Sequence, residues 1–91
     1  MQSRRGYGIT AKKVMVDKTI SIEAKAIYAY LCVYANKERV AYPSVDTICR
    51  ELGIGEKRFY RHRKVLVDKG YISITRNVEQ GKLSNNIYHI I

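Results

Sequence analysis

Acidic residues are scarce in this chain: eight Asp and Glu stand against seventeen Lys and Arg, a formal charge of +9 over 91 residues. That imbalance points to a polyanionic partner, nucleic acid or an acidic membrane surface, of which nucleic acid is the commoner. Cysteine is scarce too. Cys32 and Cys49 form no Cys-x-x-Cys pair and sit in apolar periodic segments, so they read as reduced, buried small hydrophobes and not as a disulfide framework. A single proline, with 46% hydrophobic and 27% charged residues, excludes wholesale disorder. No apolar run approaches the ~18 residues that a membrane span requires. The opening "MQSRRGYG" lacks the apolar core of a secretory signal, so a cytoplasmic protein is expected. Catalytic groupings are missing as well. No Ser or Cys nucleophile comes with a base and an orienting acid, there is no glycine-rich phosphate loop, and His62 and His89 fall in distant elements. Cys32, Cys49, His62 and His89 have no zinc-ligand spacing. Neither an enzyme, a cofactor nor a metal site is expected.

What is present fits one small domain. Residues 1–20 read as a basic, Gly-punctuated arm followed by a part-alternating segment, a short strand or extended packing arm. Ser21 is an N-cap and Glu23 places an acid in the first turn, which predicts a helix over 22–35. Its inward stripe is Ala24, Ile27, Tyr28, Leu31, Tyr34 and Ala35. Its other faces are also apolar, with Ala26, Ala29, Tyr30, Cys32 and Val33, so a second cover is expected from the N-terminal arm or a partner chain. A short strand over 40–42 precedes Pro43, and Ser44 caps the next helix, Val45 to Leu52, which buries Val45, Ile48, Cys49 and Leu52. Gly53 stops it in the left-handed conformation. Only Ile54 and Gly55 follow before a new helical pattern starts at Glu56, so two helices must cross steeply across a short turn: a helix-turn-helix.

From Gly53 to Gly70 the chain reads "GIGEKRFYRHRKVLVDKG", with six Lys or Arg in eighteen residues. At 100° per residue, Phe59, His62 and Leu66 share one side of this helix, while Lys57, Arg61 and Lys64 share the other. Arg58 and Tyr60 flank the basic face. His62 reads as a satisfied core-edge histidine, and Arg63 as a packed stem whose head reaches water. A merely soluble helix interleaves Glu with Lys at four-residue spacing, and this one does not. An outward cationic stripe on the second helix of a helix-turn-helix suits the DNA major groove, where Arg and Lys meet guanine edges or phosphates. After Gly70, "YISITRN" and "NIYHII" read as two strands joined by the polar loop "VEQGKLSN", with Gly81 near its middle. A hairpin directly after a recognition helix is a wing, and Arg76 and Lys82 flank its tip, placed to clamp the phosphate backbone. The fold class expected is mainly α with a small β-hairpin: a winged helix-turn-helix of three helices plus wing, over 21–91.

The segment "ISIEAKAIYAYL" and the entry "YPSVDTIC" to the second helix give the chain, over about 6–74, a resemblance to a known family. It resembles the winged-helix N-terminal domains of plasmid and phage replication initiators and DnaD-like replisome organisers of Gram-positive bacteria. The resemblance implies double-stranded DNA binding, often as a dimer, through Lys57, Arg58, Tyr60, Arg61 and Lys64, with Ser44 as a phosphate donor. The Ser or Thr usual at the entry to the recognition helix is Gly55 here, which removes one side-chain cap and phosphate contact. Such domains also occur in transcription regulators, so the resemblance specifies DNA binding better than replication. A winged helix used for protein interaction or oligomerisation is the competing class. The final "YHII" runs in strand character without a polar finish, which reads as an excised N-terminal domain whose downstream part would hold any replisome contacts.

Overall fold

A computed structural model describes residues 10–79 and 82–91, with side chains described over 10–76 and 86–91. The basic arm read at 1–9, Gly81 and the side chain of Lys82 lie outside the described residues. Along the chain come α1 (Lys12–Met15), α2 (Ile22–Tyr34), β1 (Val40–Ala41), α3 (Val45–Leu52), α4 (Glu56–Asp68), β2 (Ile72–Glu79) and β3 (Lys82–Ile90).

The helix starts follow from their caps. Ser21 Oγ accepts the Ala24 amide at 3.0 Å and Ser44 Oγ accepts the Thr47 amide at 3.1 Å, each satisfying a donor that has no carbonyl within the helix. The ends follow from glycine. Gly53 takes φ of 74°, and its own amide and that of Ile54 both donate to the Cys49 carbonyl, at 2.9 and 3.1 Å. At Gly70, φ of 77°, the Tyr71 amide reaches back to Leu66 and the Gly70 amide to Val67, both at 3.0 Å, a Schellman closure.

The sheet is antiparallel in the order β1-β3-β2. Val40 faces His89 and Ala41 faces Tyr88 on one side of β3, while Ile72 faces Ile90 on the other. Pairing of β2 with β3 runs out to Glu79 opposite Lys82. Between Arg76, opposite Asn86, and Val78, opposite Leu83, β3 carries one residue more than β2, a bulge that raises the local twist. Helices and sheet close on one core. Val14, Ile27, Tyr28, Leu31, Ile48, Phe59, Leu66 and Tyr88 are fully buried in it, and Cys32 and Cys49 are buried free thiols. Burial pushes both thiols up from their ordinary value.

Three expectations change. The strand or extended arm before Ile20 contains a helix, α1, which seats Val14 in the core; the covering of α2 thus comes partly from within the chain. Ile22, Ala26 and Val33 of α2 stay exposed. Tyr34 is not in the buried stripe: it is 53% exposed, and its hydroxyl and that of Tyr30 donate to Glu51 Oε1 of α3 at 3.2 and 2.6 Å. The core ends a turn early on that face, and Ala35 supplies the last buried contact. The polar loop is mostly strand, because residues 78, 79 and 82–85 belong to β2 and β3. Backbone pairing needs no apolar alternation, which is why the composition concealed it. Arg63, partly buried as a packed stem, also bonds β3 through one nitrogen of its head, as described next.

Candidate nucleic-acid interface

The turn between α3 and α4 places the second helix across the first, with half-buried Ile54 packed against the core between them. This seats Phe59 and Leu66 inward. On the opposite side of α4, Lys57, Arg61 and Lys64 are exposed. Lys57 and Arg61 have no acidic partner among the described residues. Lys64 Nζ lies 2.9 Å from Asp68 Oδ2 on the same helix, with side chains 73% and 59% exposed, a pair weak enough in water for a phosphate to replace it.

Arg58, exposed at the flank of the basic face, has a partner on another helix. Its Nη2 donates to Glu23 Oε2 at 3.1 Å, tying the start of α4 to the first turn of α2. Glu23's own backbone amide, and then the Arg58 guanidinium, hold the Glu23 carboxyl below the usual carboxylate range. The same carboxylate lies 3.9 Å from His62 Nε2, beyond hydrogen-bond reach. His62 is satisfied on its other nitrogen, where Ser21 Oγ sits 2.8 Å from Nδ1. Ser21 Oγ also accepts the Ala24 amide, so one hydroxyl joins the cap of α2 to the His62 ring. The expected core-edge role of His62 therefore holds at one nitrogen only, with Nε2 buried and unbonded.

Tyr60 is 43% exposed and packs edge-on against Phe59, with ring centroids 5.6 Å apart. Arg63 lies over the Tyr60 ring at 4.8 Å and donates from Nη1 to the Tyr88 hydroxyl of β3 at 3.0 Å. Ser44 stands at the start of α3 with its hydroxyl spent: it donates to Thr47 Oγ1 at 2.9 Å while capping the Thr47 amide. Arg76 is exposed on β2. The fold thus gathers Lys57, Arg61 and Lys64 on one outward face, turns Arg58 and Arg63 to other elements, and uses Ser44 as a cap. Sequence reading missed Glu23 and Tyr88 as partners of the basic helix, and no local signal marks pairs 35 and 25 residues apart.

A family model for a helix-turn-helix domain matches residues 18–72. The chain belongs to the helix-turn-helix domain family. The match takes in α2, β1, α3 and α4 and stops at the first residue of β2, so this helix-turn-helix domain carries its hairpin almost wholly beyond the matched residues. With a mainly helical body and a three-stranded antiparallel sheet, the fold is a winged helix-turn-helix, and DNA is the partner that family membership implies. No curated protein and no solved structure matches the chain. None of the helices among the described residues is long and apolar enough to cross a membrane.

Proposed function

We propose that the domain binds double-stranded DNA with the outer face of α4 in the major groove and the β2–β3 hairpin on the adjacent phosphate backbone. Lys57, Arg61 and Lys64, with Tyr60 and Arg58 beside them, are the helix contacts; Arg76 and Lys82 are the hairpin contacts. Ser44 contributes only where a phosphate displaces Thr47 from its hydroxyl. The observation that carries this reading is the pair Lys57 and Arg61, exposed without acidic partners among the described residues on the second helix of a helix-turn-helix. In the cell we place the domain in the cytoplasm, without a catalytic role, at an origin in plasmid or phage replication initiation. The resemblance of its "ISIEAKAIYAYL" and "YPSVDTIC" segments to replication-initiator domains is the ground for that placement, and the same surface serving a transcription regulator is the alternative.

If about six cations meet phosphates, affinity for a duplex falls on the order of a thousandfold between 50 and 200 mM salt. A flat salt response overturns the reading. Selection of sites from a random duplex pool, with unrelated DNA as competitor, tests specific recognition. Mapping the selected sites to an origin or to promoters separates replication from transcription. One observation favours a second reading, an oligomerising module: Ile22 and Val33 on α2 are 82% and 59% exposed. Self-association through α2, as a homodimer, appears in light scattering as a doubled mass that Val33→Glu abolishes.

A further inference from the structure

Among the basic residues of α4, Arg63 is the one directed at another layer of the fold. Lys57 and Arg61 point outward, Arg58 is held by Glu23, and Lys64 lies by Asp68. The Arg63 guanidinium carbon instead stands 4.8 Å from the Tyr60 ring centre, 5.4 Å from Phe59 and 6.0 Å from Tyr88. Its Nη1 donates to the Tyr88 hydroxyl at 3.0 Å. Two physical needs meet here. Tyr88 is fully buried, and a phenol hydroxyl taken from water requires a partner. A planar guanidinium can meet ring faces and donate in its own plane at once, which a lysine ammonium cannot.

Tyr88 sits on the central strand, opposite Ala41 of β1 and Ile74 of β2. Beyond Arg76, β2 and β3 pair only with each other among the described residues, and a two-stranded ribbon is marginal by itself in water. Its direction is therefore set at its base, where Arg63 spans from the exposed Tyr60 of the recognition helix to the strand that carries the hairpin.

We propose that Arg63 is a positioning residue for the duplex contact: through Tyr88 it holds the hairpin at a set angle to α4, so that helix and hairpin engage one duplex together. This rests on the DNA reading given above. Arg63 then acts without touching phosphate, and its loss disables the hairpin's own cations.

A double-mutant cycle on the 91-residue chain tests it, with duplex affinity measured at fixed salt. Tyr88→Phe keeps every charge and changes a side chain too deeply buried to meet DNA, so it removes only the acceptor of the Arg63 bond. In the unsubstituted protein, Arg76→Ala with Lys82→Ala lowers affinity about tenfold, the loss of two phosphate contacts. In the Tyr88→Phe and Arg63→Met backgrounds affinity is already several-fold lower, and the same pair of hairpin substitutions costs less than about twofold more. Melting curves show the fraction folded at the assay temperature, and if Arg63→Met does not fold, Tyr88→Phe carries the test alone.

An undiminished tenfold loss in both backgrounds overturns the proposal, since the hairpin is then placed without Arg63. Hairpin substitutions without effect in the unsubstituted protein overturn it too, because there is nothing to position. Failure of the DNA reading itself is distinguishable: the unsubstituted chain then shows no salt-dependent duplex binding before any variant is made.

Discussion

Arg61 and Lys82 separate two kinds of contact that one positive charge can make. On the groove-facing side of α4, Arg61→Ala costs ~1–3 kcal/mol of binding and relaxes preference at one base pair if the guanidinium reads a guanine edge. Lys82→Ala weakens every sequence alike and lowers the salt slope by about one. Equal loss from both, on all sequences, shows that neither reads bases. Arg58 is a different case, because Glu23 competes with DNA for it. The pair is partly exposed, at 51% and 34%, so its net worth to stability is small. Glu23→Gln frees the guanidinium and removes an anion near the interface. Duplex affinity at low salt rises a few-fold and the salt slope steepens by up to about one. A titration at two salt concentrations checks this, and unchanged affinity means Arg58 stays outside the contact.

At the scale of elements, the turn between α3 and α4 holds two glycines with different reasons to be there. Gly53 has φ of 74° and open space where a Cβ would stand, so Gly53→Ala meets no atom and the cost is the left-handed backbone alone. That is about 1 kcal/mol, a fall in melting temperature of roughly 5 °C for a domain of this size. Gly55 has ordinary φ, also with open space, and begins α4 without a side-chain cap. Gly55→Ser supplies the missing acceptor and raises stability by a few tenths of a kcal/mol. Thermal melts of the two variants should move in opposite directions, and a gain from Gly53→Ala contradicts the observed turn.

The whole molecule is tied across its layers at Asp17. The Tyr71 hydroxyl at the base of β2 donates to Asp17 Oδ2 at 2.5 Å, and Lys69 Nζ lies 3.7 Å away at the end of α4. Thr19 donates to Oδ1 from both its hydroxyl, at 2.6 Å, and its amide, at 2.8 Å. Thr19 first, then Tyr71, hold the Asp17 carboxyl well below the usual aspartate value, with a smaller part from Lys69. A carboxyl depressed in the folded state binds its proton more readily when unfolded. Its stabilisation is thus complete above the ordinary aspartate value of about 4 and is lost progressively as pH falls below it. The melting temperature of the unsubstituted chain should drop from pH 6 to pH 3 by more than that of Asp17→Asn, whose amide does not titrate. Parallel curves mean that the Asp17 tie is not a source of acid sensitivity.

The sequence by itself determined the helix-turn-helix and its polarity. Ser21 and Ser44 mark helix starts because a cap is a local bond over three residues. Gly53 marks a helix end because only one residue type readily takes the left-handed turn, and periodicity alone divides Phe59 and Leu66 from Lys57 and Arg61. Helix α1 escaped notice because it is four residues long and Ala11 offers no side-chain cap. The length of the hairpin escaped because its far part is held by backbone pairing, which leaves no pattern in the side chains. Only tertiary structure decided which cations remain free. Arg58 and Arg63 have the same local surroundings as their neighbours on α4, and Glu23 and Tyr88, which claim them, come near only when α2 and β3 pack on that helix. Charge is a property of composition, but its availability depends on what the fold brings within about 3 Å of it.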